Sequence, residues 1–393
     1  MTRLSRTSAA AFTLAIVFGG STRASGQTLN DVLSFLLTNR SIATDEFVRD
    51  AQAAKAAGDA LSTSLLIDLS TLPTSTSAGG FTYRFDPTIG TSIRSSDAFD
   101  PFFTERALTA GAGQMTFGLS YQQSSFQTID GRSLGDGTLV STASRLHGED
   151  QFFDVETLTL RVHTDTAMLV GDAGVTDRLD IGAAMPLVRI TLSGQRVDNY
   201  RGQQTLQASA TATTSGPGDL ILHTKYDLLR GSTGFAIGAE VRLPTGDARN
   251  LLGTGRASGG PRLIASVGDA RTSVHANVGY AVGGFTQDLN YRAAVTRAAT
   301  ERLTLVGEIL GDRLASTGRL TESVAPNPSL INVDTIRLTS TDQPTNRLVA
   351  VAGLKWNFRS TWLVTANVVR PLTNNGLNAP WTPTITINHS FGQ

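Results

Sequence analysis

From Gly113 to Phe391 the chain alternates apolar and polar residues over short stretches, and the connections between those stretches alternate between tight and long. In the first stretch Met115, Phe117, Leu119 and Tyr121 fall on one face and Gln114, Thr116, Ser120 and Gln122 on the other. A period of two marks a strand whose faces meet different surroundings. The pattern returns at Leu158, Leu160, Val162, Met168 and Val170, at Leu179, Ile181, Ala183, Met185 and Leu187, and onward to Ile385, Ile387 and Phe391. Tight turns are expected around Asp177-Arg178, Arg230-Gly231-Ser232, Gly268-Asp269-Ala270, Thr300-Glu301 and Ser360, and long polar loops over about 127–151, 193–216, 244–260 and 315–345.

Tight turns on one side, long loops on the other and a two-residue period between them describe a transmembrane antiparallel β-barrel, all-β in class, in which one strand face meets lipid and the other the lumen. The pattern gives about twelve strands. Fourteen are possible if Phe81–Phe85 and Ile89–Ile93 enter the wall as a hairpin. Either even number puts the tight turns on the side of the C-terminus, with one exception: the seventh and eighth strands are joined through Gly283-Gly284-Phe285, which is short for an outer connection.

The residues before the barrel read differently. Arg3 and Arg6, the apolar run Ala9–Gly20 and the small residues Ala24-Ser25-Gly26 form a secretory signal over 1–26, too short to span a bilayer as a helix. Residues 27–112 carry two short helical patterns, one capped by Asn30 and one by Thr44 that ends near Leu61, then a Ser/Thr/Gly linker at 73–80. Such a segment is either a plug folded into the barrel or a periplasmic extension. The plug is favoured, because the apolar helix faces need a surface to bury against. The barrel domain is then 113–393.

Composition narrows the function. The chain has 33 basic and 33 acidic residues, and without the signal's Arg3, Arg6 and Arg23 it has 30 basic against 33 acidic, which argues against a nucleic-acid partner. Cysteine is absent, so there is no disulfide, thiolate metal site or cysteine nucleophile. No cofactor or metal motif is found. If the apolar faces meet lipid, the lumen receives Arg161, His163, Asp165, His223, Lys225, Asp227, Glu240, Arg242, Arg292, Glu308, Arg347 and Lys355. A lipid-facing Arg or Lys at midplane costs about 2–4 kcal/mol, which drives that assignment. Lys225 and Asp227 are expected beside Glu240 and Arg242 across the Gly231 turn. His163 and Asp165 share one strand face and would need only a serine to complete a hydrolytic trio, but one such pair does not define an enzyme. Tyr121, Tyr226, Tyr280, Trp356, Phe358 and Trp362 are placed as interface aromatics.

Several stretches resemble a known family. Ser77-Ala78-Gly79-Gly80-Phe81-Thr82-Tyr83-Arg84-Phe85-Asp86-Pro87 and Phe99-Asp100-Pro101-Phe102-Phe103-Thr104-Glu105-Arg106-Ala107-Leu108 look like the N-terminal part of transporter-like outer-membrane proteins. Gly218-Asp219-Leu220, Lys225-Tyr226, Leu243-Pro244-Thr245-Gly246-Asp247 and Asn277-Val278-Gly279-Tyr280 resemble the family named for the meta-pathway of phenol degradation, related to fatty-acid-type outer-membrane transporters. That resemblance implies a passive channel in the bacterial outer membrane for small hydrophobic or aromatic compounds, not an enzyme. Its partners would be outer-membrane lipid, the small-molecule substrate and the assembly machinery that reads the last strand. There Gly392 and Gln393 follow Phe391, where such chains commonly end on an aromatic residue. A lipid-modifying barrel enzyme and a structural or adhesive barrel are the alternatives.

Overall fold

The computed structural model describes residues 28–70, 83–86, 91–94, 97–359 and 361–391. The signal sequence, the linker at 73–80 and the last two residues lie outside them. Twelve antiparallel strands form the wall: β1 Met115–Phe126, β2 Phe152–Thr176, β3 Leu179–Tyr200, β4 in two collinear pieces Gln203–Pro217 and Leu220–Leu229, β5 Thr233–Leu243, β6 Ser258–Gly268, β7 Thr272–Gly283, β8 Asp288–Thr300, β9 Leu303–Pro326, β10 Val333–Arg359, β11 Trp362–Pro371 and β12 Thr382–Phe391. Each pairs with its sequence neighbour, and β12 closes onto β1 with Ile387 opposite Leu119. Among the described residues closure leaves no unpaired edge within the lipid belt, as a sheet in lipid requires; the upper piece of β4, Gln203–Pro217, pairs only with β3. The hairpin Tyr83–Asp86 and Thr91–Arg94 pairs only with itself, so the wall has twelve strands rather than fourteen.

An apolar belt faces outward, with Phe117, Leu169, Ile181, Leu222, Ile237, Leu263, Val278, Val295, Leu305, Leu354 and Ile385 exposed. At its periplasmic edge Trp356, Phe358, Trp362, His389, Phe391 and Phe117 form a chain of ring contacts with centroids 4.4–6.3 Å apart. Aromatic rings with a polar edge favour that boundary. The wall therefore sits in a membrane, with the tight turns on the periplasmic side and the long connections outside.

Two of the loops expected outside are strand. β3 and β4 continue as a paired ladder to Tyr200 and Gln203, and β9 and β10 to Pro326 and Asp334. A further strand, Leu139–Leu146, bridges β2 to β10 above the membrane, where β1, β12 and β11 have ended. These stretches are rich in Ser and Thr, which favour turns in sequence but suit a strand whose outer face meets water. The 25 residues of β2, at about 3.4 Å each, reach far beyond a belt about 25 Å tall.

The extension is filled by helices. Helix α1, Leu29–Leu37, starts at Thr28 rather than Asn30; the Thr28 hydroxyl accepts from the Asp31 N–H while the Asp31 carboxylate accepts from the Thr28 N–H. Its face of Leu29, Val32, Leu33, Leu36 and Leu37 packs in one core with Leu158, Leu160, Ile190 and Leu192 of the wall and with Leu251 and Leu252 of the 244–257 loop. Gly194 on β3 makes room, since a Cβ there would stand 2.6 Å from Leu36 Cδ1. Helix α2, Phe47–Ser70, runs on past Leu61 and packs against β9 and β10.

Candidate functional site

The lumen is crossed twice by the N-terminal part of the chain. On the outer side, α2 is tied to β10 at both ends: the Arg337 guanidinium donates to Asp50 at 2.5 Å and to Glu46 at 3.0 Å, and that of Arg347 donates to Asp68 at 2.8 Å. The end of α1 is held from β3, where Arg196 Nη1 donates to the carbonyls of Leu36 (3.1 Å) and Thr38. A cation at a helix C-terminus meets both its unpaired carbonyls and its negative dipole end.

On the periplasmic side residues 97–112 form an irregular strap inside the wall. It starts at the β6–β7 turn, where Asp97 and Ala98 donate to the Ala270 carbonyl. Glu308 on β9 then accepts from the N–H groups of Phe102, Phe103 and Thr104 and from the Thr104 hydroxyl at 2.8 Å. Lys355 Nζ donates to Pro101 O at 2.8 Å, Arg292 to Phe103 O at 2.8 Å, and Lys225 Nζ to Arg106 O at 3.2 Å. Lys225 also sits 3.3 Å from Glu105 and 3.6 Å from Asp180. Asn277 brackets Glu105, accepting from its N–H at 2.6 Å and donating to its carbonyl at 2.9 Å. The strap has no ladder of its own, so the wall's charged side chains satisfy its backbone.

Against α2 is a cavity of about 110 Å³, walled by β5 to β9 and their outer connections. Ile67 of α2 and Leu314 supply apolar lining, and Glu240, Arg242, Arg262, Asp288, Arg292 and Asp312 a charged rim of mixed sign. Glu240 is 3.1 Å from Arg262 and 3.9 Å from Arg242. His223 stands opposite Glu240 on the ladder and meets Asp172 at 2.6 Å. That contact reaches across β3 because position 182 is glycine: a Cβ there would lie 2.1 Å from the Asp172 carboxylate and 2.3 Å from the His223 ring.

Nine of the twelve charges expected in the lumen face it: His223, Lys225, Asp227, Glu240, Arg242, Arg292, Glu308, Arg347 and Lys355. Their partners differ in part from expectation. Lys225 lies opposite Gly238 and Asp227 opposite Ala236, so neither meets Glu240 or Arg242; Lys225 binds the strap and Asp227 pairs with Arg230 at 2.7 Å.

Arg161, His163 and Asp165 face outward, because β2 has the opposite sense to the one its hydrophobicity suggested. Leu158, Leu160, Val162, Met168 and Val170 are buried inward, the first three above the membrane against the helix-filled core, while Leu169 meets lipid. The contradiction was present in the sequence, since Asp172 shares the parity of Met168 and Val170 and would have faced lipid. Outside, Ser125 Oγ lies 2.8 Å from His163 Nδ1, His163 Nε2 lies 3.4 Å from Asp165, and the Tyr121 hydroxyl donates to Asp165 at 2.6 Å.

Sequence reasoning missed the inward Asp172, Asp180, Arg262, Asp288 and Asp312 and the role of the strap. Strand parity pointed to Asp180, Arg262, Asp288 and Asp312, while the apolar face chosen for β2 hid Asp172. Among the described residues no group of three His, Asp or Glu is placed to hold a metal ion.

Residues 131–319 match the protein-family model described as "Putative MetA-pathway of phenol degradation". No curated protein sequence matches the chain. Among solved structures, an outer membrane channel from Pseudomonas putida F1 is similar at 15% identity and a TM-score of 0.47, over 72% of this chain and 98% of that one. A FadL homologue from Pseudomonas aeruginosa is similar at 9% identity and a TM-score of 0.31, over 71% and 90%. The chain is thus a twelve-stranded outer-membrane β-barrel that resembles, over residues 131–319, the family described for the MetA pathway of phenol degradation.

Proposed function

We propose that the protein is an outer-membrane channel for the passive uptake of small hydrophobic or aromatic compounds, made as a secreted chain with signal 1–26, plug 27–112 and barrel 113–393. In this reading a path runs beside the plug past Glu240, Arg242 and Arg292, while Lys225, Glu308, Arg347 and Lys355 hold the plug in place. The observation that carries it is the cavity between Ile67 and the Glu240–Arg262–Arg292 cluster, apolar on one side and charged on the other. The space offers an apolar face for a ring and charged groups for one polar substituent; it is smaller than the apolar cavity of about 150 Å³ that holds benzene, so passage requires the lining side chains to move. The description of the matched family, phenol degradation, supports the same class of solute. The outward Ile385, Ile387 and Phe391 of the last strand support insertion by the outer-membrane assembly machinery.

Proteoliposome influx tests this. p-Toluenesulfonate, an aromatic anion that does not cross lipid unaided, is expected to enter vesicles holding the protein faster than protein-free vesicles, and sucrose is not. Equal influx of the aromatic solute with and without protein would contradict the reading.

The Ser125–His163–Asp165 contacts favour a second reading, a lipid hydrolase on the outer wall. Strand N–H groups point along the ladder rather than out over a side chain, so this wall is poorly suited to build an oxyanion hole. Asp165→Asn is the discriminating variant: it would abolish ester hydrolysis in a hydrolase and leave solute influx through a channel unchanged.

A further inference from the structure

The outer face of the wall carries a row of polar residues at the height where the apolar belt ends. On β3 the outward residues run Leu179, Ile181, Ala183, Met185, Leu187 and then Arg189. Ten residues of a strand tilted about 40° rise about 26 Å, which matches a belt about 25 Å tall. Arg189 therefore stands at the level of the outer-leaflet headgroups. The same count from Phe391 up β12 reaches Trp381, and from Met115 up β1 reaches Ser125.

The ladder registers bring these positions side by side. Ser125 is paired with His163 of β2. The β12–β1 register, continued past Thr384 and Gln122, sets Trp381 beside Ser125, and the β11–β12 register, continued past Val369 and Thr382, sets Arg370 beside Trp381. Arg370 lies over the Trp381 ring at 4.8 Å. Arg189 is one row lower, opposite Asp165, and Arg161 one row higher, opposite Ser193. At about 4.8 Å per strand, the cations span roughly 14–19 Å across the wall.

Arg161 and Arg189 are exposed and have no hydrogen-bond or ion-pair partner among the described residues. The carboxylate in the patch, Asp165, is taken up by the Tyr121 hydroxyl and the Gln123 amide. Three guanidinium groups against one occupied carboxylate leave the patch cationic. Trp381 beside them gives a ring suited to the headgroup boundary.

We propose that this outward patch binds the phosphorylated headgroup of an outer-leaflet glycolipid, with Arg189 and Arg161 holding one phosphate and Arg370 another. The apolar belt directly below takes the acyl chains of the same molecule, which is why a lipid rather than a soluble anion is the occupant. Arginine suits the task because its planar donor fork matches phosphate oxygens two at a time.

The test is a titration of the folded full-length barrel in detergent, read by native mass spectrometry. The probes are bis-phosphorylated lipid A, the same lipid stripped of both phosphates, and inorganic phosphate. Bis-phosphorylated lipid is expected to bind about tenfold or more tightly than the stripped form, and Arg161→Gln/Arg189→Gln/Arg370→Gln is expected to remove that difference. Inorganic phosphate at equal concentration is expected not to displace the lipid. The three side chains are exposed, so the variant keeps the wall; heat-modifiable migration on a gel confirms folded protein before titration, and the triple Lys variant is expected to retain preferential binding. A triple Gln variant with the wild-type preference, stripped lipid binding equally well, or displacement by inorganic phosphate would each overturn the proposal.

Discussion

At the scale of single residues, the charges in the lumen act mainly as clamps on the chain's own N-terminal part. Glu308 is the clearest case, since one buried carboxylate satisfies three strap N–H groups and a hydroxyl. Hydrogen bonds to a charged acceptor contribute about 1.5–3 kcal/mol each. Glu308→Gln keeps the shape and loses the charge, and is expected to cost the docked strap about 2–4 kcal/mol. Limited proteolysis would show it as faster cleavage within 97–112 in a barrel that still migrates as folded. The residue scale is also where sequence reading failed on β2. Alternation there was clear, but alternation says only that two faces differ. Leu158 and Leu160 are apolar because they meet α1, not lipid, and a reader who assumes a wet lumen assigns them backwards. On β4 and β5 the inward face carries His223, Lys225, Asp227, Glu240 and Arg242, and the same rule gave the right sense.

At the scale of elements, the long strand pairs outside the membrane and the two helices depend on one another. The β2–β3 pair stands tall because α1 fills its inner face, seated on Gly194. Gly194→Leu is expected to expel α1 and destabilise the extension, seen as loss of hydrogen-exchange protection over 158–162 and 190–196 with the membrane belt unchanged. The far end of the same pair carries a pH response. Burial first, and then the nearby Asp198, raise the Asp154 carboxyl from 3.8 to about 7. A carboxyl with a raised folded pKa binds a proton more tightly when folded, so its contribution to stability is present below about pH 4 and is lost as pH rises through about 7. The tip of the pair is therefore expected to exchange faster at pH 8 than at pH 6 after correction for intrinsic rates, and Asp154→Asn is expected to flatten that difference. Sequence pattern did not reveal these pairs as strands. Their Ser, Thr and Gly content reads as loop, and the helices that order them lie more than a hundred residues away in the chain.

At the scale of the whole molecule, the closed wall, its orientation and its strand number were legible from periodicity and loop length, because a barrel in lipid must alternate and must close. The interior was not legible in the same way. What fills the lumen is irregular chain and helix whose position is fixed by ion pairs between distant segments, and single-strand patterns carry no record of those pairings. The account that joins wall and interior is a channel narrowed by its own N-terminal segment, with α2 as the outer closure. Its two ionic anchors, Arg337 to Glu46 and Asp50 and Arg347 to Asp68, can be removed together, and the cysteine-free chain allows a clean cross-link. A Cβ at Gly318 would lie 3.3 Å from Ala60 Cβ, close enough for a disulfide between β9 and α2 after a small adjustment. The most direct measurement is single-channel conductance of Arg337→Ala/Arg347→Ala carrying Ala60→Cys/Gly318→Cys, recorded before and after reduction. The account predicts wild-type conductance while the cross-link holds α2 in place and a severalfold rise once it is reduced; equal conductance in both states would contradict it.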